Sequence, residues 1–220
     1  MIEKRHQINY YKQMEYPTFT QELNFLKTYK YVAGIDEAGR GPLAGPVVAS
    51  CVILNQKNII DLNENSWHKT IRDSKKMTQK QREKSFIDIK QNALSYGIGQ
   101  ASHTEIDNIN ILQATYLAMQ RAIANCNIKP EFILVDGNKE IPKIDIKQKT
   151  EIKGDLHILS IACASILAKV TRDVIMADYH KIYPKYGFDK HKGYGTLLHR
   201  QIIAKYGHCP IHRKSFTCKT

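Results

Sequence analysis

Tyr31-Val32-Ala33-Gly34-Ile35-Asp36-Glu37-Ala38-Gly39-Arg40-Gly41-Pro42 passes from an apolar run into two adjacent acids, then into a turn with one arginine between two glycines. Tyr31 to Ile35 is predicted as a buried strand, which puts Asp36 and Glu37 at or near its end. A buried, unpaired carboxylate is costly, so acids placed there require a cation or hydrogen bonds. A hard metal ion satisfies them, and Arg40 can hold an anion beside it. That combination suggests phosphodiester chemistry. Gly39 to Ala44 also fits the loose G-x-G-x-x-A dinucleotide pattern, but that motif requires a helix next, and Val47 to Leu54 reads as a strand. The glycines are better read as letting the backbone approach a ligand closely. Backbone groups at that distance can sense a ribose hydroxyl.

The rest of the chain alternates around this strand. Val47 to Leu54 is predicted as a second buried strand. Thr78 and Gln81 fit a capping box opening a helix that carries Phe86, Ile87 and Leu94. Tyr96 to Ala101 reads as a short strand. Ile106, Ile109, Leu112, Tyr116, Met119 and Ile123 mark one face of a long helix. Phe132 to Gly137 is a strand ending in an acid, Thr150 to Lys153 a final strand, and Ile158 to Met176 a long, largely buried helix. Thr196 to Tyr206 reads as the last helix. Strands followed by interleaved helices argue for an α/β layer fold with a mixed sheet. Residues 1–30 are expected to form a helical extension, with Phe19, Leu23 and Leu26 at helical spacing, and residues 31–220 one domain.

Composition narrows the partner. The chain of 220 residues has 33 Lys and Arg against 21 Asp and Glu, a formal charge of +12, which favours a polyanion such as nucleic acid. No run approaches the roughly 18 apolar residues of a membrane span, and the charged start Met1 to His6 predicts no secretory signal. The five cysteines are scattered and form no CxxC pair, as expected of reduced thiols in a cytoplasmic protein. His208, Cys209, His212 and Cys218 cluster near the end, but their spacing matches no common zinc finger.

Further acids fall where ligands bind in such sheets, at strand carboxyl ends. Asp36, Glu37 and Asp136 could form an oxygen-only metal site, with Asp155 as the fourth acid. Each of the last two also has a plainer reading: Asp136-Gly137 as a turn, and Asp155 as a helix N-cap. Arg72-Asp73-Ser74-Lys75-Lys76 is a basic, hydroxyl-bearing loop that could be simply a solvated charge run. In Lys190-His191-Lys192-Gly193-Tyr194-Gly195-Thr196 the cations could hold phosphate and Tyr194 could present its ring to a sugar or base. An ordinary glycine-rich loop with a packed tyrosine is the alternative.

Taken together, these segments resemble the type 2 ribonucleases H, specifically the ribonuclease HII family. The resemblance rests on Gly34 to Val48, Asp73-Ser74-Lys75-Lys76, Val135-Asp136-Gly137-Asn138, Lys153-Gly154-Asp155, Ser160 to Asp173, Gly193-Tyr194-Gly195-Thr196 and Pro210 to Phe216, in family order. It implies a ribonuclease H-like fold: a five-stranded mixed sheet flanked by helices, with extra C-terminal helices. It implies endonucleolytic cleavage of RNA in RNA–DNA hybrids and incision 5′ of single ribonucleotides in duplex DNA, as in ribonucleotide excision repair and primer removal. The expected ends are a 3′-hydroxyl and a 5′-phosphate. By motif position Asp36, Glu37, Asp136 and Asp155 look like the catalytic acids that bind two ions of Mg²⁺ or Mn²⁺. Gly39, Arg40 and Gly41 look like the reader of the ribose 2′-OH, with Ser74 and Lys75 as further substrate contacts. Tyr194 looks like the residue that stacks on the deoxyribose at an RNA-to-DNA junction. The expected state is a monomer. Two departures are Cys163, where the family usually has Ala, and the longer segment before Tyr31. Arg40 and the short extension separate the chain from ribonuclease HIII, which lacks this arginine and carries an N-terminal platform domain. The rival readings are a non-catalytic hybrid-binding module and a resolvase-like metal nuclease.

Overall fold

Alternation along the strands builds a sheet with two apolar faces. In β1 (Val32–Ala38), Ala33 and Ile35 join Ala49, Cys51 and Ile53 of β2 (Val47–Leu54) in one cluster. Val32 points the other way and joins Phe132 and Leu134 of β4 (Phe132–Asp136). This computed structural model describes residues 16–60 and 66–216. With β3 (Ala93–Ala101) and β5 (Lys147–Glu151), the five strands lie in the order β3-β2-β1-β4-β5. The β1–β2 and β2–β3 pairs are antiparallel, and β1–β4 and β4–β5 are parallel. The expected mixed five-stranded sheet flanked by helices is therefore present.

One face carries α4 (His103–Ala124), whose Ala114, Ala118 and Ala122 sit over β3 (Ala93–Ala101). These positions are small because α4 comes very close: a Cβ on Gly97 would lie 2.1 Å from the Ala122 carbonyl. The predicted stripe on this helix needs correction. Asn110 takes φ 65°, which breaks the helical register and leaves Ile109 exposed. The other face carries α5 (Leu159–Ile182), longer than the predicted span, and α3 (Gln79–Asn92). The predicted capping box at Thr78 and Gln81 is formed in both directions.

Two boundaries differ from expectation. Leu94 belongs to β3 rather than α3, because β3 pairs along β2 as far as Ala93↔Leu54. The last strand, β5, spans Lys147–Glu151, in register with β4 from Phe132↔Lys147 to Asp136↔Glu151. It is an edge strand of polar residues, the composition edges favour, so it carries no apolar signal; Ile152 and Lys153 lie beyond it.

A short helix α1 (Thr20–Phe25) packs Phe19, Leu23 and Leu26 on the α5 side of the sheet. Thr18 is bonded to the segment before α5 through His157 and Leu159. α2 (Gln56–Ile60) follows β2, and α6 (Phe188–His191) and α7 (Leu197–Tyr206) complete the C-terminal part. Cys51, Cys126, Cys163 and Cys209 are free and buried; Cys218 lies outside the described residues.

Candidate active site

Strand register brings the first two acids together. β1 and β4 are parallel, with Gly34 opposite Leu134 and Ile35 opposite Val135. Asp36 and Asp136 each lie two residues past that Gly34–Leu134 pair, so they reach the same sheet face at its carboxyl end. That face is covered by α5. Gly34 lets the helix start sit against β1, since a Cβ there would fall 2.3 Å from the Ile161 backbone nitrogen. α5 then carries Ser165 past Asp36. The Ser165 side chain lies beside the Asp36 carboxylate, stabilising its charge, and is 3.1 Å from the Ser74 hydroxyl. Asp36 Oδ1 also accepts the Glu37 amide N–H at 2.7 Å.

Asp136 Oδ1 accepts the Gly154 amide N–H at 2.7 Å, which ties β4 to the 3₁₀ turn Gly154–Leu156. That turn carries Asp155, which is buried. Asp155 does not cap the helix. The N-cap of α5 is Ile158, with no side-chain cap bond, and the Ser160 amide N–H is instead accepted by Glu22 Oε1 from α1 at 2.7 Å.

The four acids are under-neutralised. Burial pushes Asp36 well above the usual carboxylate range, and the charges of Glu37 and Asp136 push it further. Glu37 is raised by burial against the pull of Arg40, 3.4 Å away, with Asp136 adding to the rise. Asp155 is raised by burial and then by Asp136, while Lys75 opposes at 3.9 Å. Burial works against the Lys75 charge, but Asp155 first, then Asp36, Asp73 and Asp136, raise it. The donor set is all oxygen, mutually repelling and short of positive charge, which fits a hard divalent cation and not a soft one. Among the described residues no three of these acids converge into a ready-made cage, in keeping with their repulsion and with the water and phosphate oxygens such cations retain.

The predicted substrate contacts are also placed. Gly39 takes φ +100°, and a Cβ there would lie 2.1 Å from Arg172 Nε. Gly41 faces open space: a Cβ there would meet only Tyr194 Cε1, at 4.0 Å. Tyr194 is 43% exposed and so stands free beside the turn. Its loop is held by the Leu43 amide donating to the Gly193 carbonyl at 2.8 Å. Lys75 is exposed beside Asp155, while Ser74 is buried on Ser165.

A histidine relay fixes the same loop. The Cys209 amide donates to His212 Nδ1 at 2.9 Å, which leaves the His212 proton on Nε2. It donates to His199 Nε2 at 3.0 Å, and His199 Nδ1 then donates to the Tyr194 carbonyl at 2.9 Å. These tautomers follow from the bonding pattern. Burial lowers both rings to about 4, so both are neutral at neutral pH.

Sequence reasoning gave no role to Ser165, Arg172, Arg213 or Glu22. The first three lie inside segments that carried the resemblance, and the signal that could have marked them is polar residues on an otherwise apolar helix and at the end of the chain's last motif. Arg172 and Arg213 are each 1% exposed. Burial, then the Arg172 charge, pulls Arg213 down to about 9, which still leaves it a cation at neutral pH.

Comparison with known proteins finds relatives over most of the chain. The family model described as Ribonuclease HII matches residues 33–219. A ribonuclease HII of Clostridioides difficile is 54% identical over 191 residues, 86% of this chain and 71% of that protein. One of Caldicellulosiruptor saccharolyticus is 49% identical over 199 residues, covering 90% and 93%. The crystal structure of the ribonuclease H2 from Pyrococcus horikoshii superposes with a TM-score of 0.67 at 29% identity, covering 84% of this chain and 93% of that one. With the sheet order, the paired strand-end acids and the glycine–arginine turn already in place, matches of this extent show that the chain belongs to the ribonuclease HII family.

Proposed function

We propose that residues 31–220 form an endonuclease unit that hydrolyses the RNA strand of RNA–DNA hybrids and cuts 5′ of single ribonucleotides in duplex DNA, leaving 3′-hydroxyl and 5′-phosphate ends. The observation that carries this reading is the placement of Asp36 and Asp136 on one sheet face, beside a turn whose Gly41 leaves open space for a ligand. Asp36, Glu37, Asp136 and Asp155 would hold two divalent cations, Mg²⁺ or Mn²⁺. When bound, such ions supply an activated water for attack at phosphorus and neutralise charge on the departing 3′ oxygen.

The chain's own residues prepare that chemistry. The Glu37 amide, with Ser165 beside it, orients Asp36, and the Gly154 amide orients Asp136, so each carboxylate is held in a set direction. Lys75, drawn to Asp155, is placed to meet a non-bridging phosphate oxygen, with Ser74 anchoring its loop on Ser165. The Gly39-Arg40-Gly41 backbone meets the ribose 2′-OH, and the exposed Tyr194 ring stacks on the adjacent sugar. The 2′-OH is recognised and does not attack.

No helix among the described residues is long and apolar enough to cross a membrane. A monomer acting in the cytoplasm on ribonucleotide-containing nucleic acid completes the reading, supported by the free cysteines and the net charge of +12. The test offers three substrates with Mg²⁺, Mn²⁺ or chelator: a duplex with one ribonucleotide, a long RNA–DNA hybrid and an all-DNA four-way junction. Metal-dependent cleavage of the first two is expected. Cleavage of the junction alone would indicate a resolvase, and binding without cleavage a recognition module.

A further inference from the structure

Arg172 and Arg213 are fully buried cations outside the acid cluster, and among the described residues neither forms a salt bridge with a carboxylate. Among the described residues every hydrogen-bond acceptor of the two guanidinium groups is a backbone carbonyl. Arg213 Nη2 donates to Gly39 at 2.6 Å and Pro46 at 3.2 Å, Nη1 to Arg40 at 2.9 Å, and Nε to Gly45 at 2.9 Å. Arg172 donates from Nε to Pro46 at 2.9 Å, from Nη2 to Ala44 at 3.1 Å, and from Nη1 to Lys192 at 3.0 Å. The Arg213 amide also donates to the Leu43 carbonyl at 2.8 Å. Burying an ion is expensive unless its hydrogen bonds are satisfied. Here the planar forks are satisfied by carbonyls between Gly39 and Pro46 and, for Arg172, by that of Lys192 as well.

The consequence follows from peptide geometry. Among the described residues every peptide bond is trans, so in each of these peptides the N–H points opposite to the preceding C=O. Holding the Gly39 and Arg40 carbonyls toward buried Arg213 turns the Arg40 and Gly41 N–H groups away from it. Neither amide has a hydrogen-bond acceptor among the described residues. The turn therefore offers two adjacent donors beside the open space at Gly41. Arg172 links this turn to the next loop, through the Lys192 carbonyl and through its guanidinium carbon, 5.8 Å from the centre of the Tyr194 ring.

We propose that Arg172 and Arg213 are positioning residues for ribonucleotide recognition: they fix the outward direction of the Arg40 and Gly41 amides and join that turn to Tyr194 as one rigid reader. Neither touches substrate. The proposal rests on the reading of Gly39-Arg40-Gly41 as the element that meets the 2′-OH.

The test measures binding in the full chain carrying Asp36→Asn, which prevents cleavage. Affinity is compared for two duplexes that differ only in one ribonucleotide. Arg213→Lys keeps the charge but cannot span four carbonyls; it should reduce the preference for the ribonucleotide at least five-fold, with affinity for the all-DNA duplex within two-fold of the parent. Arg172→Lys should reduce the preference too, and adding it to Tyr194→Ala should reduce it no further. A merely structural role would lower both affinities together, and that result overturns the proposal. Gly41→Ala, which the protein accommodates sterically, separates the two readings. If it loses the preference while folded Arg213→Lys and Arg172→Lys keep it, the positioning role is wrong and the turn's role stands. If Gly41→Ala keeps the preference, the reading of the turn fails and the proposal fails with it. Should Arg213→Lys fail to fold, as judged by circular dichroism, Arg172→Lys decides by the same criterion.

Discussion

Asp36 is held at odds with its own stability. It is 5% exposed, and burial, Glu37 and Asp136 all oppose its negative charge. Sites that bind cations accept this kind of destabilisation because the ligand removes it. Asp36→Asn deletes one of the repelling charges and keeps a carbonyl oxygen for the Glu37 amide. In metal-free buffer the variant should therefore melt at or above the temperature of the parent protein. Its cleavage with Mg²⁺ should fall more than about 100-fold, the upper figure for losing an outer-shell partner alone. Melting curves with and without metal, alongside initial rates, check both halves; a variant that is less stable yet active contradicts the electrostatic account. Asp36 and Glu37 were legible in sequence because acids ending an apolar run need an explanation. Asp136 and Asp155 had plausible plain readings as a turn and a cap, and only the resemblance separated them. Ser165, Arg172 and Arg213 carried only the weak signal of polar residues in apolar or terminal segments, because most of their partners are distant in sequence: Ser74 is 91 residues from Ser165, and Gly39 is 174 from Arg213.

At the scale of elements, α5 is the hinge of the account, since it carries both Ser165 and Arg172 and starts beside Asp155. Its N-terminus is completed by Glu22 of α1, not by a neighbour in sequence. Glu22 is fully buried, its Oε2 has no hydrogen-bond partner, and burial pushes its carboxyl up to about 7. The sign follows from linkage. An unfolded Glu releases its proton near 4.5 and the folded one near 7, so the stability this group contributes is full below about 4.5 and is lost as pH rises through 7. Glu22→Gln keeps the acceptor for Ser160 without the charge. It should melt close to the parent at pH 5 and above it at pH 8; an unchanged difference across that range contradicts the buried-acid reading. The predictions of α3 with its cap, and of β2, rested on local signals and agree with the structure. The start of β3, the extent of β5 and the break at Asn110 did not follow from local pattern, because strand pairing and the backbone at Asn110 decide them.

For the whole molecule, the claim is that two devices share one loop region: acids at the ends of β1 and β4, and a donor-bearing turn joined to Tyr194. Net charge of +12 brings the nucleic acid in, but it cannot by itself tell ribose from deoxyribose. On the proposed reading, discrimination comes from the turn and chemistry from the acids, and both act on the same phosphodiester. The most direct measurement is end-group mapping by mass spectrometry on a duplex with one embedded ribonucleotide, with its all-deoxy twin as control. The account predicts one metal-dependent cut 5′ of the ribonucleotide, a 3′-hydroxyl and a 5′-phosphate, and an intact twin. A 2′,3′-cyclic phosphate, or equal cutting of the all-deoxy duplex, would contradict it.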